Sequence, residues 1–371
     1  MCNFLDKYIH NKEINISKDE WININNEYDR DSIIKAFKES ILNDDIKLPL
    51  RNITLSDAKS SFIELNYQCP NSIEYGILTT RYEYSFSPIG YGRYIDESNV
   101  GSLASDYFHQ ESRFLCDSIN SPSPYRTWHN SKFLDGLLKA LWTLKCKEVN
   151  SNTLRTCLAL RKYIASQFKP AVAKSIYTLF DSRDILDFSA GWGDRLCGFY
   201  ASNNTKSYIG IDPNILVYDK YQEQVDLYKT LTKEKHTEFI CKPAEEVDLP
   251  ESIVDTVFTS PPYFNIERYS TDETQSYKRY RKLDEWLNGF LFKAISLSVR
   301  ALKKDGYLII NISDVYSGHK VNKICDPMNE YIKSLGLKYC DMLGMKMAKR
   351  PNSLADKEGI FIEPIWIWQK I

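Results

Sequence analysis

The chain has 371 residues, with 48 Lys and Arg against 49 Asp and Glu, so its formal net charge is -1. At roughly 150 residues per domain this length predicts about two domains, and the 43% hydrophobic and 13% aromatic residues suffice for a sizeable core. The composition excludes a disordered or collagen-like chain, and the balanced charge excludes a bulk polycation, so nucleic-acid binding would need a local basic patch.

Cysteine and histidine usage argues against a metal centre and against a disulfide framework. The nine cysteines are odd in number and form no C-x-x-C, and the five histidines have no metal-ligand spacing. The first twelve residues contain no apolar signal-peptide core, and no uncharged apolar run approaches the ~20 residues of a membrane span. We therefore expect a soluble intracellular protein; the sequence does not distinguish cytoplasm from nucleus or an infected host cell.

The first part of the chain mixes helical and strand patterns. Residues 30–43 place Ile33, Ile34 and Phe37 on one helical face, and residues 62–95 have the pattern of short strands with turns. Amphipathic helices are predicted over residues 133–144 and 154–168. Residues 1–160 are therefore interpreted as an α+β N-terminal region.

Residues 161–371 have a regular alternation of strands and helices that predicts an α/β domain. Because crossovers between strands separated by helices are right-handed, the sheet should be mostly parallel and doubly wound, with ligands beyond the carboxyl ends of its strands. The predicted elements are a helix at 170–179, a strand at 185–188, a helix at 195–202, a strand at 208–211, a helix at 215–231, strands at 237–241 and 256–258, a helix at 284–302, a strand at 307–312, a helix at 328–335, and strands at 338–343 and 360–368.

A glycine-containing turn follows the first of these strands. Gly191 and Gly193 allow a tight bend and a close approach of backbone to ligand, but Leu196 stands where a dinucleotide fingerprint needs a third glycine. Asp212 ends the next strand, where a carboxylate can accept hydrogen bonds from ribose hydroxyls. A nucleoside without a pyrophosphate is implied, which points to S-adenosylmethionine; the alternative is a tight turn with no ligand.

The most informative segment is the turn Ser260-Pro261-Pro262-Tyr263, which follows another strand. The prolines stiffen the turn and remove two backbone donors, so carbonyl groups and the serine hydroxyl remain as acceptors beside an aromatic ring. Such a turn can draw the hydrogens of a planar amino group toward it and free the nitrogen lone pair to attack an electrophilic methyl group. No cysteine lies in the turn, which argues against the covalent route to carbon 5 of cytosine. The alternative is an ordinary rigid turn.

Together the two segments resemble the amino-group DNA methyltransferases, which act on cytosine N4 or adenine N6. The family's cofactor turn, D-P-F-x-G-x-G, is similar to residues 187–193, with Phe188 where the family often has proline, and its catalytic turn, [D/N/S]-P-P-[Y/F/W], is matched by residues 260–263. Serine at the first catalytic position is typical of the cytosine-N4 enzymes. Residues 242–245 (KPAE) depart from the family, which often carries an Asp there toward the adenine of the cofactor.

The resemblance covers roughly residues 165–371, including residues 363–370 as the family's last strand. It implies a Rossmann-like SAM-dependent methyltransferase domain over 161–371, with a mostly parallel seven-stranded sheet whose last strand is antiparallel. It also implies a role in restriction-modification and makes residues 1–160 a candidate for target recognition. The implied catalytic residues are Ser260, Pro261, Pro262 and Tyr263, and the implied cofactor-binding residues are Pro170, Asp187, Ser189, Ala190, Gly191, Gly193 and Asp212.

Basic and aromatic residues past the catalytic turn are candidates for contact with DNA. Cations can contact phosphates while tyrosines stack on bases, and a duplex substrate would need its target base flipped out against Tyr263 or Phe264. The alternative is a solvated loop of mixed charge. The predicted nucleic-acid-binding residues are Phe264, Arg268, Lys278, Arg279, Arg281, Lys349 and Arg350.

Other functions stay open on the sequence alone. RNA bases or a protein glutamine amide are alternative acceptors, although the glutamine enzymes typically show Asn at the position of Ser260. A catalytically inactive nucleic-acid-binding module could keep the same fold. A nicotinamide oxidoreductase is disfavoured by Leu196.

Overall fold

The computed structural model describes residues 3–87, 90–96, 98–348 and 358–371. In chain order the helices are α1 (Lys18–Glu27), α2 (Arg30–Asn43), α3 (Leu55–Tyr67), α4 (Ser102–Leu115), α5 (Pro124–Trp128), α6 (Ser131–Leu138), α7 (Ala140–Thr143), α8 (Ser151–Arg161), α9 (Pro170–Leu179), α10 (Asp194–Tyr200), α11 (Ile215–Lys229), α12 (Ser276–Arg279), α13 (Leu283–Trp286), α14 (Phe292–Ala301) and α15 (Cys325–Ser334). A π-helical turn, Leu287–Leu291, joins α13 to α14.

The strands, in chain order, are β1 (Ile9–His10), β2 (Glu13–Ile14), β3 (Ile73–Thr79), β4 (Tyr91–Ile95), β5 (Asp117–Ser118), β6 (Asp184–Asp187), β7 (Ser207–Ile211), β8 (His236–Ile240), β9 (Val254–Thr259), β10 (Glu267–Arg268), β11 (Leu302–Asn311), β12 (Val315–Ser317), β13 (Lys320–Asn322), β14 (Lys338–Lys346) and β15 (Ile360–Gln369).

The chain divides into two compact units, and each unit is built from two separate segments of the sequence. The first unit comprises Met1–Asn52 and Gln110–Ser166, and the second comprises Ile53–His109 and Gln167–Ile371. The predicted boundary at 160/161 lies close to the break after Ser166. Residues 53–109, which the sequence assigned to the N-terminal region, belong instead to the second unit because their strands β3 and β4 join its sheet.

The first unit is built mainly from helices around an aromatic and aliphatic core. Helix α2 begins where predicted because the Asp29 carboxylate accepts hydrogen bonds from the backbone of Asp31 and Ser32, both at 3.0 Å. Trp128 is fully buried in this core and donates from its indole nitrogen to the Ile46 carbonyl at 2.8 Å. The helix predicted over 154–168 already ends at Arg161, and the one predicted over 133–144 is split into α6 and α7.

The second unit contains the predicted α/β sheet. Its seven main strands run in the order β8-β7-β6-β9-β11-β15-β14, and β15 is antiparallel to both of its neighbours. β6 is parallel to β7 and β9, β7 to β8, and β9 to β11. This confirms the predicted α/β fold, with a mostly parallel seven-stranded sheet whose last strand is antiparallel. The hairpin β3–β4 extends the sheet to nine strands through parallel pairing of β3 with β15 and β4 with β14.

Helices cover both faces of this sheet. Successive strand residues point to opposite faces of a sheet, so Val257 and Phe258 of β9 contribute to the apolar cores on its two sides. Val257 lies in a buried cluster with Leu291 and Ile295 on the α14 side, while the Phe258 ring packs edge-on against Tyr177 of α9. The carboxyl ends of the parallel strands are therefore the edge at which loops can form a site.

Candidate active site

The glycine turn joins β6 to α10 at the carboxyl edge of the sheet. Gly191 and Gly193 both have left-handed φ angles, 57° and 68°. A Cβ on Gly193 would lie 2.0 Å from the side-chain oxygen of Gln224, whereas one on Gly191 would meet only the Ser189 carbonyl at 3.7 Å. Gly193 thus allows α11 to pack closely, and Gly191 leaves open space beside the turn.

Asp187, the first residue of the predicted cofactor motif, is buried, and its carboxylate accepts hydrogen bonds from neighbouring residues of the protein. Arg195 donates to it from Nε at 2.7 Å and from Nη2 at 3.1 Å, and the Tyr208 hydroxyl donates at 2.7 Å. The backbone nitrogen of Ser189 adds a fourth bond at 3.3 Å. Arg195 also donates to the Ser189 carbonyl. The structure therefore places Asp187 beneath the turn, where it holds the backbone in position.

Asp212 is the carboxylate that faces the site. It directly follows β7 and is half-buried. Its carboxylate accepts hydrogen bonds from the backbone nitrogens of Gly191 and Asn214, each at 2.9 Å. Burial raises the pKa of Asp212 to about 6, although the two backbone donors oppose the shift. A carboxylate has about four acceptor positions, so two remain for a ligand with paired hydroxyls. These two acceptor positions fit the hydroxyls of a nucleoside ribose.

The other predicted cofactor residues lie on the turn or next to it. Ala190 is buried, and its backbone nitrogen donates to the Ile211 carbonyl at 3.0 Å, while Ser189 is half-buried. Pro170 begins α9 and is buried where α9 packs on α10: a Cβ on Gly198 would lie 2.8 Å from the Pro170 carbonyl oxygen. The structure thus brings the predicted set to one region, with Pro170 as a packing residue.

The proline turn follows β9 at the same edge of the sheet. β9 pairs in parallel with β6, with Val257 opposite Leu186, so the glycine and proline turns leave adjacent strands in the same direction. Ser260 and Tyr263 are half-buried, and the Ser260 hydroxyl donates to the side-chain oxygen of Asn311 at 3.4 Å. The carbonyl of Pro262 accepts from the backbone of Phe264 at 3.1 Å. The two turns therefore lie side by side at the carboxyl edge of the sheet.

Three polar side chains at this site were missed by the sequence analysis: Arg195, Asn311 and Glu363. Asn311 accepts from the Ser260 hydroxyl at 3.4 Å and donates to the Pro364 carbonyl at 3.0 Å, and Glu363 precedes Pro364 on β15. Asn311 ends an apolar strand and Glu363 interrupts another, and polar residues at such positions are a usable signal. The contact between Asn311 and Pro364 depends on the pairing of β15 with β11, which residue patterns do not encode.

The predicted nucleic-acid-binding residues are held in several different ways. Phe264 is 5% exposed and packs against Trp286. Its ring is therefore not available to stack on a base, contrary to the prediction from the sequence. Arg268 lies over the Tyr277 ring at 5.6 Å, Lys278 pairs with Glu273 at 2.6 Å, and Arg279 pairs with Glu245 at 2.9 Å and with Glu246. Arg281 is exposed, while Lys349 and Arg350 lie outside the described residues.

Residues 265–282, here named the tyrosine loop, border the glycine turn. The ring of Tyr269 packs edge-on against Trp192, with centroids 5.8 Å apart, and the Thr274 hydroxyl donates to the Pro213 carbonyl at 3.5 Å. The tyrosine loop therefore packs against the glycine turn and against the segment that follows β7.

The part of the chain that the structure describes contains no group of three or more His, Cys, Asp or Glu side chains placed to hold a metal ion. Within those same ranges, no helix is long and apolar enough to cross a membrane.

Comparison with known proteins gives three kinds of similarity. Residues 254–370 match a family model described as DNA methylase, of the N6/N4 class. The chain is 42% identical over 67 residues to type II methyltransferase M.MjaVI of Methanocaldococcus jannaschii, a match that covers 18% of this chain and 31% of that protein.

Solved structures add a resemblance at low identity. The N-methyltransferase NodS of Bradyrhizobium japonicum aligns with 10% identity and a TM-score of 0.33, covering 52% of this chain and 89% of NodS. The magnesium protoporphyrin IX methyltransferase of Synechocystis, solved with bound SAM, aligns with 10% identity and a TM-score of 0.36, covering 54% of this chain and 79% of that chain.

The family match begins at the first residue of β9, includes the whole proline turn, and ends one residue after β15. It thus covers the carboxyl-edge residues that line the predicted substrate side of the site. Residues 254–370 of this chain are therefore similar to the N6/N4 DNA methylases, and the match to the type II methyltransferase agrees with that similarity.

Proposed function

We propose that this protein transfers the methyl group of S-adenosylmethionine to an exocyclic amino nitrogen of a base in DNA, with cytosine N4 as the acceptor. The observation that carries the proposal is the Ser260–Tyr263 turn at the same sheet edge as the glycine turn and Asp212. The type II methyltransferase named among its relatives supports DNA as substrate and a place in restriction-modification.

The glycine turn and Asp212 would hold the cofactor. Asp212 has acceptor positions left for the ribose hydroxyls, and the space beside Gly191 admits a ligand against the backbone. When bound, S-adenosylmethionine supplies an electrophilic methyl group on its sulfonium sulfur. Asp187 and Arg195 keep the turn in shape without contacting the ligand.

The proline turn would hold the amino group. The Ser260 hydroxyl donates to Asn311, so its oxygen keeps lone pairs that can accept from an amino hydrogen. The Pro262 carbonyl already accepts from Phe264, so we assign the Pro261 carbonyl as the second acceptor. Acceptors fixed in advance stabilise the reacting geometry without reorganisation. Tyr263 is half-buried and would stack on the base.

Cytosine is supported by Ser260, because serine at this position is typical of the cytosine-N4 members that the chain resembles. The base would have to leave a duplex to reach the turn, or be presented in single-stranded DNA. Arg281 is exposed in the tyrosine loop, and we assign its side chain to contact with a DNA phosphate.

The test is methyl transfer from labelled cofactor to DNA, followed by mass spectrometry of the nucleosides. We expect N4-methylcytosine, and a duplex of A·T pairs alone should accept no label. N6-methyladenine would overturn the cytosine assignment. Label in RNA or in a protein glutamine, with none in DNA, would overturn the choice of substrate. Cofactor binding without any transfer would indicate an inactive module.

A further inference from the structure

The tyrosine loop, residues 265–282, connects the proline turn to α13 along the carboxyl edge of the sheet. The ring of Tyr269 packs edge-on against Trp192, in the glycine turn after β6, with centroids 5.8 Å apart. The Thr274 hydroxyl donates to the carbonyl of Pro213, in the segment after β7, at 3.5 Å. Both partners directly follow a predicted cofactor-binding residue in the sequence. The loop is therefore fixed next to the two parts of the candidate cofactor site.

A third contact of the loop lies beyond β8 and is formed by charged groups. Arg279 pairs with Glu245 at 2.9 Å and also with Glu246, and both acids belong to the short 3-10 turn that follows β8. The Tyr280 hydroxyl donates to the same oxygen of Glu245 at 3.1 Å. Only 3% of the Glu245 side chain and 25% of the Arg279 side chain are exposed. Dissolved salt therefore screens this pair less than it screens a pair on the surface.

The three contacts follow the order of the strands in the sheet. Neighbouring strands run in the order β9, β6, β7 and β8. The loop starts beyond β9 and meets the segments after β6, β7 and β8 in turn. Ligands of such a sheet bind beyond the carboxyl ends of its strands. A segment held across these ends therefore stands in the path of a ligand that enters or leaves the site.

The cations of the loop are engaged inside the protein at several positions. Lys278 pairs with Glu273 at 2.6 Å, and the Arg268 guanidinium lies over the Tyr277 ring at 5.6 Å. Arg279, which the sequence analysis assigned to nucleic acid, pairs with two carboxylates of the turn after β8. These contacts point to a task for Arg279 other than binding a phosphate.

We infer that the tyrosine loop is a lid on the cofactor site, and that Arg279 is a positioning residue that fastens this lid by pairing with Glu245. The inference rests on the cofactor-binding part of the proposed function. It assigns Arg279 to the retention of S-adenosylmethionine instead of to contact with DNA. Opening the lid breaks the ion pair, so the pair slows the release of the cofactor, as loops that close over a ligand commonly do.

The variant Arg279→Met tests this role because it removes the charge and keeps much of the length of the side chain. Protein loaded with tritium-labelled S-adenosylmethionine is diluted into excess unlabelled cofactor, and the bound label is followed with time. We expect release roughly tenfold faster than in the wild type, because hydrogen bonds to a charged group are lost. Arg279→Lys keeps the charge without the planar fork, so its rate should lie between the two.

The matched control is Lys282→Met, which removes another cation of the tyrosine loop. The Lys282 side chain is 82% exposed and lies 3.4 Å from Glu285, so its loss should leave the release rate unchanged. Tyr269→Leu breaks the contact with Trp192 without unpairing a charge, and it decides if Arg279→Met fails to fold. It should also release the cofactor severalfold faster, and an unchanged rate in this variant overturns the lid.

The remaining outcomes separate the inference from the proposed function. Unchanged release in folded Arg279→Met overturns the inference. A plot of log DNA affinity against log salt whose slope is then lower by about one would assign Arg279 to a phosphate. A wild type that binds no S-adenosylmethionine overturns both the proposed function and the inference. A wild type that releases the cofactor as expected but methylates no acceptor overturns the proposed function alone.

Discussion

The glycine turn and the proline turn leave adjacent parallel strands, yet they are held by different kinds of contact. Beneath the glycine turn, the Asp187 carboxylate accepts two hydrogen bonds from Arg195, at 2.7 and 3.1 Å, and one each from Tyr208 and Ser189. Beside the proline turn, Ser260 reaches Asn311 only at 3.4 Å and is half-buried. The first turn is fixed in shape, and the second keeps acceptor groups accessible. Under the proposed function, the fixed turn suits a cofactor and the accessible acceptors suit a base that must be drawn in.

The largest effect should come from breaking the ion pair below the glycine turn. Arg195→Met removes the partner of a fully buried carboxylate, and an uncompensated buried charge costs about 3–5 kcal/mol. Urea unfolding followed by circular dichroism measures the free energy of unfolding. We expect a loss in that range.

The control for this prediction is an ion pair of the same unit that is open to solvent. Lys303 and Asp184 lie 2.7 Å apart with 41% and 27% of their side chains exposed. Lys303→Met should cost only about 0–1 kcal/mol, because solvent screens such pairs. Equal losses for the two variants would contradict the assignment of Arg195 as the residue that holds the turn.

Removing the acceptor of the proline turn should be the next largest effect, and it should appear in turnover. Ser260→Ala is expected to lower kcat about 10²- to 10³-fold, as loss of a preorganised polar group typically does, and Tyr263→Ala should also lower it strongly. Cofactor affinity should change little, because Asp212 and Gly191 are untouched. Labelled transfer assays with calorimetry measure both quantities. Ser334→Ala, exposed at the end of α15, is the control, and wild-type rates in both turn variants would show the catalytic assignment to be wrong.

The contrast between the turns also explains what the sequence could predict. Both turns follow strands, and apolar runs between helices predicted β6, β7, β9 and β11 to within a few residues. Arg195 as the partner of Asp187 was missed because their contact depends on the direction in which α10 leaves the turn. The hydrogen bond from Asn311 to the Pro364 carbonyl was missed because β15 enters the sheet out of chain order, between β11 and β14. The pairing of distant segments, which also brings β3 and β4 into the sheet, cannot be predicted from the local periodicity of apolar residues.

A smaller effect, confined to binding, should follow from neutralising the carboxylate that faces the site. Asp212→Asn keeps the shape but loses charge-assisted acceptance, which is worth about 1.5–3 kcal/mol per bond. We expect cofactor affinity by calorimetry to fall roughly 10- to 100-fold, with kcat at saturating cofactor nearly unchanged. The exposed Asp219, on α11, provides the control Asp219→Asn. A fall in kcat without a fall in affinity would place Asp212 in catalysis instead.

The smallest effect should be a pH dependence that Asp212 imposes in opposite directions on the free and the bound protein. Burial raises the pKa of Asp212 to about 6, so the folded protein binds a proton there that the unfolded chain releases at its ordinary pKa of about 3.9. The contribution of Asp212 to stability therefore falls as pH rises between these two values. Cofactor affinity should rise as the pH passes through the folded pKa, by about tenfold from pH 5 to pH 7.5, because only the ionised carboxylate accepts both ribose hydroxyls. Asp212→Asn should flatten both slopes in thermal unfolding and calorimetry, and an affinity slope that survives in this variant would assign the titration to another group.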